Sequence, residues 1–256
     1  MGAIQRTFTI PLTSDEGAHT EADHVSIVLH EPALTGDNLG LKTWASSFLL
    51  ARRLAILKES VLPVLQPDEP VLELGSGTGL VGLAAALVLK HPVTLTDLPE
   101  IVLNLQHNIV CNADLLEKSN ARAISAVLDW SDHSSFSMQP WTSNEQHRAP
   151  SFSLVLAADP IYSPSHPMLF AQAVDAHLSR RSDARLVVEL PLRDAYLPER
   201  QDLVARLEAL GLERKQEGEE VGYDDWSAGG DGEELDEVRC WWSVWGRQEA
   251  AKEMND

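Results

Sequence analysis

This chain is poor in cysteine, in positive charge and in long apolar runs, and each shortage closes a route. Two cysteines, Cys111 and Cys240, among 256 residues make neither a disulfide framework nor a metal-binding spacing. Both read as packed thiols in a reducing compartment, cytosol or nucleus, with a cytoplasmic location expected. No early apolar run suits a signal peptide, and no stretch is long enough to cross a bilayer. Lysine and arginine number 20 against 39 aspartates and glutamates, a formal net charge of -19. Such a surface repels phosphates, so nucleic acid is not an expected partner. It suits a basic partner or a lysine-bearing substrate, or serves solubility alone. His133, His147 and His166 have no metal spacing and read as surface residues, so no metal is expected. Ser76 lies in no G-x-S-x-G elbow, and no Tyr-x-x-x-Lys pair offers a hydride-transfer site.

What the chain does have is Val71-Leu72-Glu73-Leu74-Gly75-Ser76-Gly77-Thr78-Gly79-Leu80. A short apolar strand runs into a glycine-rich turn, and an apolar helix follows. Glycines at alternate positions let the backbone turn tightly and approach a ligand. The helix start offers unpaired N–H groups and a positive dipole end. Asp97 ends the next apolar stretch, where a carboxylate accepts hydrogen bonds from ribose hydroxyls. The same residue could cap the helix that starts at Pro99. Gly77, Gly79 and Gly82 also spell G-x-G-x-x-G, so a dinucleotide remains possible on spacing alone. The preceding Glu-Leu-Gly favours S-adenosylmethionine, with S-adenosylhomocysteine as product.

The rest of the chain alternates. Thr7 to Pro11 and Val25 to His30 have β character and predict a hairpin across a polar break from Thr13 to Asp23. An apolar helix follows through Leu57 toward Leu65, with Thr43 as a candidate cap. Strands at 71–74, 93–96, 123–128, 152–158 and 185–190 are separated by helices at 80–89, 99–111, 166–179 and 198–210. Ser131 to Pro150 reads as a polar loop with a short helical piece. Arg214 to Tyr223 and Val238 to Arg247 have no helix between them and predict an antiparallel hairpin. The expected fold is α/β, a Rossmann-like, seven-stranded, mostly parallel sheet with a C-terminal antiparallel hairpin and an N-terminal β-hairpin extension. Residues 1–66 are read as an accessory hairpin and first helix, and 67–256 as one compact catalytic unit. Between Glu213 and Glu237 eleven carboxylates face only Arg214 and Lys215, and Gly229-Gly230-Asp231-Gly232 reads as an exposed loop.

In such a sheet, ligands bind at the carboxyl ends of the strands near the switch in strand order. Four successive strands end there in polar or aromatic residues: Gly75 to Gly79, Asp97, Asp129 with Trp130, and Asp159 to Tyr162. Plainer readings exist for several of them. Trp44 and Trp130 could be packing residues, Asp129 a helix cap, and Asp159-Pro160 a turn. Trp241, Trp242 and Trp245 read as packing on the last strand.

Five pieces carry a family resemblance: Gly-Leu-Lys-Thr-Trp at 40–44, Glu-Leu-Gly-Ser-Gly-Thr-Gly, Thr-Asp-Leu-Pro with Asn108 downstream, Leu-Asp-Trp, and Ala-Asp-Pro-Ile-Tyr. Together, over roughly Gly40 to Gly246, the chain resembles the seven-β-strand protein lysine methyltransferases, methyltransferase family 16. Asp159 and Tyr162 fit the D-x-x-Y hallmark of that family. Ser153 departs from it, standing where many members carry an acidic residue. Val-Glu-Leu-Pro-Leu-Arg and Gly-Tyr-Asp-Asp-Trp are most similar to fungal enzymes that methylate a lysine of elongation factor 2. The resemblance implies that Glu73 and the loop Gly75, Ser76, Gly77, Thr78 and Gly79 hold the methionine part of S-adenosylmethionine. By the same resemblance Asp97 binds the ribose, Asp129 and Trp130 flank the adenine, Trp44 closes over the cofactor, and Leu98 and Ala158 complete the set. Asp159 and Tyr162 line a substrate lysine channel. The implied partner is a protein with an exposed lysine, elongation factor 2, met by a monomer with neither nucleic acid nor membrane involved. A methyltransferase of a small-molecule amine, and a non-catalytic binding protein on the same scaffold, are the competing readings.

Overall fold

The strand that carries the glycine loop is Val71–Leu74 (β3), and all four of its residues are buried. A strand without a solvent face must be covered on both sides, which is the condition of a parallel sheet between helix layers. The computed structural model describes residues 3–14, 23–33, 39–60, 62, 65–138, 151–224 and 236–248. Most of the polar break after Thr13, His147 and the Gly229 to Gly232 loop lie outside the described residues.

In chain order the elements are β1 (Ile4–Pro11), β2 (His24–Glu31), α1 (Ala45–Ser60), β3, α2 (Leu80–Leu89), β4 (Val93–Asp97), α3 (Pro99–Cys111) and α4 (Ala113–Lys118). Then come β5 (Ala123–Asp129), β6 (Asp132–Met138), β7 (Leu154–Ala158), α5 (His166–His177), β8 (Arg185–Pro191), α6 (Leu197–Ala209), β9 (Leu212–Asp224) and β10 (Asp236–Arg247). β1 and β2 form a separate hairpin, and the main sheet runs β6-β5-β4-β3-β7-β8-β10-β9. Strands β5, β4, β3, β7 and β8 are parallel. β10 is antiparallel to both neighbours. The seven expected strands are therefore present in the main sheet, together with one more.

The extra strand is β6, in the stretch read from its polarity as a loop. It folds back antiparallel on β5 directly after Trp130, with Asp129 opposite Asp132. Ser, His and Asp mask its β character because an edge strand needs no continuous apolar face. Helix α4 is a single short addition after α3, also not foreseen. Thr43 does not cap α1. The N–H of Ala45 is accepted by Asp224 Oδ1 at 2.8 Å, from the end of β9. Cys240 is packed as expected, but Cys111 is exposed. Ser153 hydrogen-bonds Glu69 at the opposite end of β7 from the loop cluster described below.

Two cores cover the two faces. On one, α1 and α2 join the inner face of the N-terminal hairpin, with Ile27, Leu29, Leu50, Leu54 and Leu83 fully buried. All ten residues of α2 are buried, since the helix lies between the sheet and α1. On the other, α5 and α6 pack Phe170, Val174 and Leu207 against Leu72, Leu74 and Trp245. The hairpin is fastened by polar groups too. Asn108 of α3 accepts from the N–H of His30 at 2.8 Å and donates to its carbonyl at 3.1 Å. Asn112 does the same for Val28 at 3.0 and 2.7 Å. These amides pair the backbone groups that the outer edge of β2 would otherwise leave open.

Candidate active site

The order of strands reverses between β3 and β7, and a cavity of about 390 Å³ opens there at the carboxyl ends. That volume lies within the ordinary range of small-molecule sites. Its first wall is the glycine loop. The N–H of Ser76 donates to the Thr96 carbonyl, tying the loop to β4. Gly77 has a φ of +54, and a Cβ there would sit 2.9 Å from the Gly40 carbonyl oxygen. Only glycine fits both the backbone and the close approach. The segment before α1 is thereby drawn over the loop. Thr43 Oγ1 meets Thr78 Oγ1 at 2.7 Å, and the Trp44 indole donates to the Leu39 carbonyl at 3.2 Å.

Asp97 receives two amides, Gly77 on Oδ2 at 2.7 Å and Leu98 on Oδ1 at 2.8 Å. No side chain caps α3, so the carboxylate serves the loop and not the helix. Burial pushes its carboxyl up to about 6, although the two amides pull it down. Asp129 accepts from both the N–H and the hydroxyl of Ser131 at 2.8 and 2.7 Å. It therefore sets the turn into β6 and caps no helix. Trp130, between β5 and β6, stands edge-on to Phe170 with ring centroids 5.4 Å apart.

The opposite wall holds Asp159, Pro160 and Tyr162. Asp159 has a φ of +50, uncommon for a residue other than glycine, and its N–H donates to the Glu189 carbonyl at 2.8 Å. Its side chain is 8% exposed. Oδ1 is buried without a hydrogen-bond partner, while Oδ2 lies 3.8 Å from the Arg193 guanidinium. Burial pushes this carboxyl up to about 6, Arg193 draws it down, and nearby Asp224 raises it. Tyr162 is half-exposed at the mouth, edge-on to the His166 ring at 4.1 Å. Burial and the charges of Asp97, Asp159 and Glu100 raise its phenol above the usual value.

Twelve of the residues singled out from the sequence line this one cavity: Trp44, Gly75, Ser76, Gly77, Thr78, Asp97, Leu98, Asp129, Trp130, Ala158, Asp159 and Tyr162. Glu73 and Gly79 do not. Gly79 stands at the N-cap of α2. Glu73 is 2% exposed beneath the loop, and a Cβ on Gly82 would fall 2.5 Å from its Oε2. Gly82 thus makes room for a buried carboxyl and for Leu95, whose Cγ is 2.4 Å from the same point. Burial pushes Glu73 up to about 8, with Ser76 and the Gly82 amide working against it.

Several lining residues were not foreseen. His166, read from the sequence as a surface residue, is half-buried and lines the cavity, and burial lowers its imidazole. Lys42 is buried with its ammonium 5.2 Å from the Trp44 ring centroid. Arg193 and Tyr196 follow β8. Arg193 is the junction of this wall, 3.8 Å from both Asp159 Oδ2 and Asp224 Oδ2 and 5.4 Å from the Trp44 ring centroid. The strand-end rule that identified the first four tips, applied to the fifth parallel strand, reaches Arg193 as well.

A reversal point with a glycine loop, acidic strand tips and an aromatic wall defines a Rossmann-like methyltransferase as the class of protein. The chain belongs to the lysine methyltransferase family, whose sequence profile matches residues 22–190. It is 38% identical over 220 residues to protein-lysine N-methyltransferase EFM2 of Saccharomyces cerevisiae, covering 79% of this chain and 49% of that protein. It is 35% identical over 222 residues to protein-lysine N-methyltransferase rrg1 of Schizosaccharomyces pombe, covering 86% of this chain and 67% of that protein. The chain thus spans about half the length of the first of these relatives. The fold is shared with an S-adenosylmethionine-dependent methyltransferase from Agrobacterium tumefaciens, 17% identical, with a TM-score of 0.53 over 87% of this chain and 68% of that one.

Proposed function

We propose that this chain transfers a methyl group from S-adenosylmethionine to a lysine of a protein, in the cytosol, with elongation factor 2 as substrate. One observation carries the reading. The glycine loop and Asp97 lie at one end of a single cavity, and a buried carboxylate with an unpartnered oxygen, Asp159, lies at the other. The residues suit the cofactor. Asp97 keeps lone pairs beyond its two amide bonds for ribose hydroxyls, and Asp129 and Trp130 offer an acceptor and a ring face for an adenine. Trp44 and the loop close the remaining sides. Glu73 lies behind the loop, next to Gly82 of α2, and does not face the cavity.

Held by the glycine loop, Asp97, Asp129 and Trp130, the cofactor would supply a methyl group on a sulfonium centre whose leaving form is a neutral thioether. The protein must bring a neutral amine into line with it. A lysine arrives as an ammonium, with an ordinary pKa of about 10.4. Asp159 Oδ1 accepts one of its N–H groups and fixes its approach. The proton leaves to water as the amine is desolvated on entering the site. Tyr162 and Pro160 shield the site, and alignment supplies most of the rate. Residues 1–66 serve as an accessory segment that fastens Trp44 over the loop.

The test is transfer of labelled methyl from S-adenosylmethionine into purified elongation factor 2 and into whole lysate, with Asp159→Ala beside the native chain. One labelled band at the size of elongation factor 2, absent with the variant, is expected. Label confined to small molecules makes the enzyme an amine methyltransferase. No label with cofactor binding retained makes it a binding scaffold.

A further inference from the structure

A second groove, about 530 Å³, lies beside the cavity, between α6 and the adjoining face of β9 and β10. Four arginines line it, Arg193, Arg200, Arg214 and Arg239, against two carboxylates, Asp194 and Glu219. The lining is richer in arginine than in carboxylate on a chain whose net charge is -19, although Arg193, Arg214 and Arg239 each have a carboxylate partner. The local structure explains the clustering. Leu197, Arg200 and Val204 recur at helical spacing on one face of α6. Arg239 and Trp241 are two apart on β10 and share a face. A bulge opposite Val244 and Trp245 shifts the register of β9, which brings Arg214 into phase with Glu217 and Glu219.

These arginines are available to a ligand. Arg200 has no ion pair among the described residues. Arg239 pairs with Glu219 and Arg214 with Glu217, but all four side chains are well exposed, and exposed pairs are worth little. Leu197 is 40% exposed, and it and Trp241 give the groove an apolar floor.

We propose that this groove docks an acidic segment, interleaved with apolar residues, of the protein that is methylated. The proposal rests on the protein-lysine reading above and adds a requirement on the substrate. Its target lysine lies near carboxylates, although the enzyme surface as a whole is acidic. Charge complementarity selects a peptide over a nucleic acid here, because a long polyanion would meet the surrounding carboxylates. Arg193 lines both the groove and the cavity. A docked carboxylate therefore competes with Asp159 for one guanidinium and leaves Asp159 freer to receive the lysine.

The experiment titrates the full chain with a fluorescent peptide of alternating glutamate and leucine, and repeats it with Arg200→Glu, Arg239→Glu and the pair. Melting temperature and S-adenosylmethionine affinity report whether the variants fold. Saturable binding, weakened at least tenfold in the double variant with cofactor affinity unchanged, is expected. In methyl transfer the double variant raises KM by a similar factor and leaves kcat within twofold. Equal binding by the variants overturns the proposal, as does no binding by the native chain or tighter binding of an RNA oligonucleotide. The two readings fail separately. Peptide binding without any methyl transfer rejects only the enzyme reading, and methyl transfer without peptide binding rejects only the groove.

Discussion

Asp97 finds its partners in the loops that follow β3 and β4, whereas Asp159 meets Arg193 from beyond β8 and, through it, Asp224 from the end of β9. The Asp159 side chain is buried and Asp97 is half-buried in the cavity wall, and loss of solvent lifts both to about 6. They differ in what holds them. The first is held by backbone amides that a local turn delivers. The second is held by one guanidinium shared with another carboxylate. A site made of amides is fixed once the loop folds. A site made of shared side chains responds to whatever else approaches the arginine. On the function proposed above, the Asp97 end would receive the cofactor in a fixed geometry, and the Asp159 end would receive the lysine by exchange of partners.

The largest effect lies beneath the cofactor end. Glu73 has an ordinary value of 4.5 and is pushed to about 8 by burial. The folded chain then binds that proton more tightly than the unfolded chain. The associated stability is full below about 4.5 and is lost as pH rises through about 8. Glu73→Gln removes this dependence. Urea titrations from pH 5 to pH 8.5 should show the native chain losing on the order of several kcal/mol and the variant clearly less. Equal slopes would mean that Glu73 is ionised and paired in the folded chain.

At the substrate end, Asp159→Asn keeps the shape and removes the charge. Loss of a charge-assisted hydrogen bond to the incoming ammonium costs about 3 kcal/mol, on the order of a hundredfold in kcat/KM. Cofactor affinity should stay the same. In the native chain, substrate capture should fall as pH drops through about 6, because a protonated Asp159 would not attract an ammonium. A pH profile of kcat/KM without that limb would place the capture elsewhere. Asp97→Ala should show the opposite pattern. Cofactor binding weakens by about 2 kcal/mol, roughly thirtyfold, as measured by calorimetry. The KM for the protein substrate changes little at saturating cofactor.

The same contrast decides what could be read from the sequence. Gly75 to Gly79, Asp97 and the parallel strands were legible because their signals are local: apolar runs, turn residues and acidic tips at regular intervals. Asp159 and Tyr162 were legible through a short motif. Arg193 and the Asp224 cap were not, because each meets its partners only when segments far apart in the chain are folded together. Ala45 and Asp224 are 179 residues apart. β6 escaped notice for a different reason. Its polarity suits an edge position, and periodicity alone does not separate a polar edge strand from a loop. Glu73 shows the limit of the motif itself, since its place in the loop sequence puts it beneath the cavity and not in its wall.

The smallest effect divides the two duties of Asp224. Its Oδ1 accepts the Ala45 N–H at the start of α1, and its Oδ2 lies 3.8 Å from Arg193. Asp224→Ala ends both and should cost about 1 kcal/mol through the lost cap, a fall of about 2–4 °C in Tm. Asp224→Asn keeps an oxygen for the amide but gives Arg193 no charge. Its Tm should match the native chain. Arg193 then leans wholly on Asp159, and the repulsion from Asp224 that raises the Asp159 carboxyl is gone. The acid limb of the kcat/KM profile should move below pH 6 in Asp224→Asn. If it stays in place while Tm is unchanged, Arg193 does not couple the two carboxylates, and the substrate end is as rigid as the cofactor end.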